Sequence, residues 1–170
     1  MHHRDEQRGF TILELMVVVA IIAVLAAVVI PSFMKETTRA GAKSEVHPMF
    51  AELGTREDQY KTENNGYLAM AACPPSANSQ GTDMTGAACV SATDWVALRV
   101  QAPESKLKCS YTVSTGAAGV VPNTDALWPA WITATPPTPA TGWYFIVAKC
   151  PSNEYFTASW DSKIRSQDGK

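Results

Sequence analysis

Polar and apolar positions along this chain are segregated most sharply at its start. A polar leader, "MHHRDEQRG", gives way at Phe10 to a hydrophobic run, and from Leu15 to Ile30 every side chain is apolar. As a helix, the about 21 residues from Phe10 to Ile30 measure about 31 Å, close to the roughly 30 Å hydrocarbon core of a bilayer. Beyond Pro31 the apolar positions become periodic. Val46, Met49, Phe50, Leu53 and Tyr60 recur at spacings of three, four and seven, while Lys43, Glu45, Glu52, Arg56 and Lys61 mark a wetter side. The pattern predicts one long helix reaching about Thr62, spanning in its first half and amphipathic in its second. Pro31 and Pro48 each delete a helical hydrogen bond, to the carbonyls of Ala27 and Ser44, and are expected bends. "TENNGY" at 62–67 supplies the stop, since Asn and Gly tolerate left-handed backbone.

From Leu68 to Thr93 the chain is rich in Ala, Ser, Gly and Pro and reads as an irregular connection. Three strands are expected after it. They are "WVALRVQ" from Trp95, "LKCSYTVS" from Leu107, with Leu107, Cys109, Tyr111 and Val113 on one face, and the nearly continuous apolar "GWYFIVAKC" from Gly142. "PSNE" then turns the chain into "YFTASW", a second arm for a hairpin. The segment 116–142 carries five prolines and almost no charge, which excludes regular structure over most of it. The fold class is α+β: a long helix laid on a small antiparallel sheet.

Composition narrows the setting. The chain has 170 residues, 46% of them hydrophobic, enough for one head beside the long helix. A net charge of −2 gives no general attraction to nucleic acid. Cys73, Cys89, Cys109 and Cys150 all follow the hydrophobic run, and none forms C-x-x-C, which favours two disulfides in an oxidising compartment over a zinc site. Four cysteines allow three connectivities. A Cys73–Cys89 bridge would close a loop of about 15 residues, worth about 3 kcal/mol by chain entropy.

Glu14 is the anomaly in the hydrophobic run. A carboxylate near the middle of a membrane helix costs about 2.5–3.5 kcal/mol, and less toward an end. The leader is also out of order for an ordinary secretory signal, whose small-residue cleavage site follows its apolar core. Here the small-residue junction, Gly9–Phe10, precedes it, so cleavage would remove residues 1–9 and keep the helix.

Gly9, Phe10, Thr11 and Glu14, the unbroken apolar segment and Pro31 closely resemble the class III signal of type IV prepilins and the related type II secretion pseudopilins. "TILEL" stands for the usual T-L-I-E-L, Ala23 stands where many members carry glycine, and the leader is less basic than usual. The resemblance implies a pilin fold: leader 1–9, long helix 10–62 with 10–30 in the membrane or filament core, and head 63–170. It implies that prepilin peptidase cuts between Gly9 and Phe10 and methylates the Phe10 amine. It also implies that Glu14 pairs with the new amino terminus of a neighbouring subunit. Charges about 4 Å apart attract by roughly 4 kcal/mol at an effective dielectric of 20, the same order as the insertion cost. A subunit seated at the wrong height leaves both charges unpaired. Other subunits, an inner-membrane assembly platform and its ATPases are the implied partners. The implied location is the inner membrane with a periplasmic head, then a cell-surface pilus for motility, adhesion or DNA uptake. If Cys109 pairs with Cys150, the bridge bounds a region resembling the variable C-terminal region of type IV pilins.

The remaining candidates are modest. Trp128 and Trp131 either form a contact surface or cap the sheet, and capping is favoured; Trp143 and Trp160 read as strand residues in the core. Lys35, Arg39 and Lys43 read as anchors at the headgroups rather than a nucleic-acid site. His47 has no nucleophile in a recognisable motif near it, so no catalytic residue or cofactor is expected. "REDQ" and "WDSKIRSQDGK" lack the spacing of a calcium loop, and no metal is expected. The reading is a pilin subunit of the minor kind, on its long irregular loops. The rivals are a type II secretion pseudopilin and a membrane-anchored enzyme.

Overall fold

The computed structural model describes residues 10–151 and 153–169. The leader and Gly9 lie outside them. Helix α1 runs from Ile12 to Asn64 and is assigned without interruption through Pro31 and Pro48. It ends where "TENNGY" predicts. Asn65 takes φ 58° and its N–H donates to the carbonyl of Lys61 at 2.8 Å.

The chain divides into two compact units, residues 1–38 and 39–170. In the second, a five-stranded antiparallel sheet has the order β1-β4-β5-β6-β7: Met70–Cys73, Ser110–Gly116, Trp143–Lys149, Glu154–Ala158 and Arg165–Ser166. A separate pair joins β2 (Thr82–Asp83) to β3 (Lys106–Leu107). Strand β5 is buried and apolar from Trp143 to Ala148 because both of its faces are covered, and only its last residue, Lys149, is exposed. Tyr144, Ile146 and Ala148 join Tyr111, Val113 and Tyr155 in a core with Val46, Met49, Phe50 and Leu53 of α1. Trp143, Phe145 and Val147 join Phe156 and Ala158 in a second cluster on the opposite face.

Three expectations are corrected. The segment at Trp95 is helix α2, Thr93–Leu98, not a strand; it buries Trp95 and Leu98 and stops at Arg99, whose backbone is left-handed. Val96, Leu98 and Val100 alternate as a strand would, whereas Trp95 and Leu98, three apart, share a helical face, and Asp94 lies in the first turn of α2. The connection from Leu68 contains β1, β2 and a 3-10 turn at Ala88–Ser91, since β1 finds β4 as a neighbour. Trp160 lies just beyond β6, in the turn that leads to β7.

Glu45 is the fourth correction. Rather than facing water, it is 2% exposed. Its Oε2 accepts the Lys108 N–H at 2.8 Å, and its Oε1 accepts the Cys109 N–H and the Tyr111 hydroxyl, each at 2.9 Å. The carboxylate thus ties α1 to the entry of β4, and burial beside that charge pushes the Tyr111 phenol far above its usual range, so the hydroxyl remains a donor.

Cys109 and Cys150 sit one step outside the Ser110–Lys149 pair of β4 and β5, with Cα atoms 4.2 Å apart, and they are bridged. Cys73 is bridged to Cys89, tying β1 to the 3-10 turn. Among the described residues there is no free cysteine.

Removing Glu45 leaves three donors without their acceptor. Glu45→Ala is expected to cost about 3–5 kcal/mol and Glu45→Gln about 1–3 kcal/mol, whereas Tyr111→Phe, which withdraws a single donor, costs about 1 kcal/mol. Urea unfolding of the detergent-solubilised chain, followed by tryptophan fluorescence, gives the ranking.

Candidate functional site: an uncovered apolar helix and a capped sheet

The amino-terminal unit is defined by what it leaves exposed. Phe10 is 86% exposed, and Ile12, Leu13, Leu15, Met16, the valines and isoleucines through Ile30, Phe33 and Met34 are likewise uncovered. This stretch is long and apolar enough to cross a membrane. Helix formation satisfies its backbone, whereas its side chains require lipid or other protein.

Its first turn has a structure of its own. The Leu15 N–H donates to the Thr11 carbonyl at 3.2 Å, which makes Thr11 the N-cap, and the Glu14 N–H donates to Thr11 Oγ1, also at 3.2 Å. Thr11 and Glu14 therefore occupy the first and last positions of an S/T-x-x-E capping box. The signature is legible in the sequence as "TILE". A carboxylate in the first turn is also favoured by the helix dipole. Phe10 thus stands immediately before the capped turn that carries Glu14. Pro31 lies within α1 with its side chain exposed.

In the head, segment 116–142 is not an open loop. It has one 3-10 turn, Pro122–Thr124, and it covers the sheet face opposite α1. Trp128 is its plug. Its ring meets Phe145 at 5.6 Å and Phe156 at 5.0 Å, both edge-on, and stacks near Trp160 at 6.2 Å. Trp131 donates its indole N–H to Glu154 Oε2 at 2.7 Å, and Trp143 donates to the Val120 carbonyl at 2.9 Å. Gly116 has room for that indole only because it has no side chain, since a Cβ there would lie 2.1 Å from Trp143 Cζ2. A cavity of about 600 Å³ opens beside Trp131, walled by Ile132, Ile164 and Arg165.

Titratable groups do not converge. Among the described residues no group of three His, Cys, Asp or Glu could hold a metal ion. His47 is exposed on α1. Lys43 is exposed as well, Arg39 pairs with Asp168, and the side chain of Lys35 lies outside the described residues. The group that sequence reading missed is Glu57, fully buried one helical turn beyond Leu53 on the apolar stripe. Its Oε2 accepts the Leu68 N–H at 3.0 Å, and its Oε1 has no partner among the described residues. Burial drives its pKa up from 4.5 to about 7; the Leu68 N–H opposes the rise and neighbouring Asp58 adds to it. The stripe spacing 42, 45, 46, 49, 50, 53, 57 was the signal that could have found both buried glutamates.

Comparison with known proteins follows the first of these features. The family described as "Prokaryotic N-terminal methylation motif" matches residues 4–30. Type II secretion system core protein G of Escherichia coli strain K12 is 43% identical over 67 residues, 39% of this chain and 46% of that protein. The protein of the same name from Pseudomonas aeruginosa is 40% identical over 67 residues, 38% of this chain and 44% of its own length. Type IV major pilin protein PilA of Myxococcus xanthus is 43% identical over 60 residues, 35% of this chain and 27% of that protein. The chain spans less than half the length of these curated relatives. No solved structure matches it.

Two outcomes are expected for the head. Trp128→Ala should cost about 3–5 kcal/mol and Trp131→Ala clearly less, because the Trp128 ring lies edge-on against both Phe145 and Phe156; unfolding midpoints of the two variants measure this. For Glu57, the folded state keeps a proton that the unfolded chain releases above 4.5. Its contribution is therefore full below that value and is lost as pH rises through about 7, a decline of up to about 3 kcal/mol. Glu57→Gln should flatten that part of the stability–pH curve. An unchanged slope would exclude Glu57 as its source.

Proposed function

We propose that this type IV pilin-like chain is a structural subunit of a cell-surface pilus, of the minor kind, inserted into the filament through the first half of α1. The observation that carries the reading is the exposed apolar run Phe10–Met34, interrupted by the single carboxylate of Glu14. The precursor is anchored in the inner membrane by this run with its head in the periplasm. Prepilin peptidase cuts between Gly9 and Phe10 and methylates the Phe10 amine.

Glu14 then pairs with the Phe10 terminus of a neighbouring subunit. As the subunit leaves the bilayer, burial against other apolar helices replaces burial in lipid, so the run never meets water. The assembly platform and its ATPases supply the work. Pro31, which deletes the hydrogen bond to Ala27, gives the helix a place to adjust on entering the filament. The minor role is supported by the long irregular connections of the head, ill suited to a densely repeated shaft. The oxidising periplasm suits the two disulfides.

A second reading is favoured by a specific finding. The similarity to type II secretion core protein G extends over 67 residues, well beyond the methylation motif. On that reading the filament is a periplasmic pseudopilus of a secretion machine, with the same processing and the same role for Glu14.

Intact mass and amino-terminal sequence of protein from cells with and without prepilin peptidase test the shared part. The expected product begins at methylated Phe10 only when the peptidase is present; an uncut chain in peptidase-positive cells would overturn both readings. Glu14→Val should still be cleaved yet be absent from filaments. Shearing then separates the two assemblies: the chain in sheared surface filaments supports the pilus, and a cell-bound chain whose deletion stops exoprotein release supports the pseudopilus.

A further inference from the structure

The end of α1 closes over a carboxyl group that its surroundings satisfy by half. Glu57 is fully buried; its Oε2 accepts the Leu68 N–H at 3.0 Å, and its Oε1 meets no donor among the described residues. In such a place the neutral acid is tolerated and the ionised form is strongly disfavoured. The cover over it is thin. It is the connection 65–69, in which Asn65 and Ala69 are exposed and Gly66, Tyr67 and Leu68 are half-buried.

Local contacts hold this connection. The Asn65 N–H donates to the Lys61 carbonyl at 2.8 Å, and the Leu68 N–H is held by Glu57 itself. The Tyr67 ring meets Tyr144 of β5 edge-on at 4.8 Å. Lys61 Nζ donates to the Tyr67 hydroxyl at 2.9 Å and lies 4.5 Å from the centre of the same ring. Beyond Ala69 the chain is fastened to the sheet and its flank: Met70 pairs with Val113, the Ala71 N–H donates to Asp94, and Cys73 is bridged to Cys89.

The charged and titratable groups around Glu57 leave it one partner to turn to. On α1, Arg56 is paired with Glu52, the Asp58 charge opposes ionisation of Glu57, and Tyr60 is half-buried. The connection contributes Tyr67, and β5 contributes Tyr144, whose phenol burial pushes far above its usual range, so it stays neutral. Arg99, beyond α2, is engaged with Glu63. Lys61 stands one turn after Glu57, the i,i+4 spacing at which a glutamate and a following lysine pair on a helix. In the structure its ammonium is held by Tyr67 instead.

We propose that Glu57 and Lys61 form a pH-operated latch on the connection between α1 and β1. With Glu57 protonated, Lys61 holds Tyr67 and residues 65–69 are closed. When the proton leaves, the Glu57 carboxylate turns outward and takes Lys61 from Tyr67, which frees the Tyr67 ring and the Leu68 N–H to water while the sheet beneath stays paired. Burial raises the Glu57 carboxyl to about 7 in the closed state, and release returns it toward 4.5, so opening gives up a proton. The latch is therefore closed below about 7, and above that value its opening constant grows about tenfold per pH unit. It belongs to the head alone and stands whether the filament is a pilus or a pseudopilus.

Amide hydrogen exchange of the detergent-solubilised full chain with intact disulfides, taken from about pH 5.5 to about pH 8.5 and divided by the intrinsic rate at each pH, gives the test. Protection at Leu68 is expected to fall about tenfold per pH unit above about 7, while β4 and β5 keep theirs. Glu57→Gln retains an acceptor for the Leu68 N–H and has no proton to lose, so its protection there is expected to be independent of pH. A nuclear Overhauser contact between the Lys61 side chain and the Tyr67 ring is expected below the transition and absent above it. Constant protection at Leu68 in the native sequence would overturn the latch, and so would an equal loss across β4 and β5, which is unfolding of the whole head. A pH dependence that survives in Glu57→Gln, or a Lys61–Tyr67 contact that persists at the alkaline end, would overturn it as well.

Discussion

The carboxylate of Glu45 fixes how α1 and the sheet meet. Its two oxygens take two successive backbone N–H groups, those of Lys108 and Cys109, together with the Tyr111 hydroxyl. Such an acceptor tolerates little displacement, because sliding β4 by one residue would exchange its faces and leave the charge without donors. With β4 held at this height, Tyr111 and Val113 face the helix, and Phe50 meets the Tyr111 ring edge-on at 6.2 Å. The same register brings Cys109 opposite Cys150. In the chain-entropy view that bridge, closing a separation of 41 residues, is worth about 4 kcal/mol, more than the bridge across 16 residues at Cys73–Cys89.

A small sheet with one helix has a second face to hide, and segment 116–142 hides it. The result is a three-layer head: helix, sheet, and a layer with almost no regular structure. Tryptophan makes the third layer possible. Trp128, Trp131, Trp143 and Trp160 supply large apolar area together with an N–H that finds an acceptor at Glu154 for Trp131 and at Val120 for Trp143. Proline suits such a layer because it has no N–H to leave unsatisfied beneath the surface.

The two units solve opposite problems. The head closes its core on itself and secures it with two disulfides, whereas the first half of α1 satisfies only its backbone and leaves its side chains to an environment the chain does not provide. Stability resides in the head, and the proposed assembly rests on the exposed helix. Thr11 and Glu14 illustrate how economical the junction is. The capped turn starts the helix one residue after the cleavage junction expected from the sequence, and it carries the charge that a neighbour is proposed to meet.

Periodicity and local chemistry made the long helix legible, with its stop at "TENNGY", the strands β4, β5 and β6, and the amino-terminal signal. Each is written in contiguous residues whose spacing or backbone preference acts locally. The buried sides of Glu45 and Glu57 were hidden, although both lie on the apolar stripe, because residue type alone assigns a carboxylate to water; only donors far along the chain, at Lys108, Cys109, Tyr111 and Leu68, reverse that preference. Helix α2 was misread because six residues satisfy a strand pattern and a helical turn equally. Strand β1 was missed because "MAAC" becomes a strand only when β4 offers it an edge. The pairing of the cysteines and the seating of Trp128 were likewise left to the tertiary structure, since both depend on which residues the sheet brings together rather than on any preference of their own.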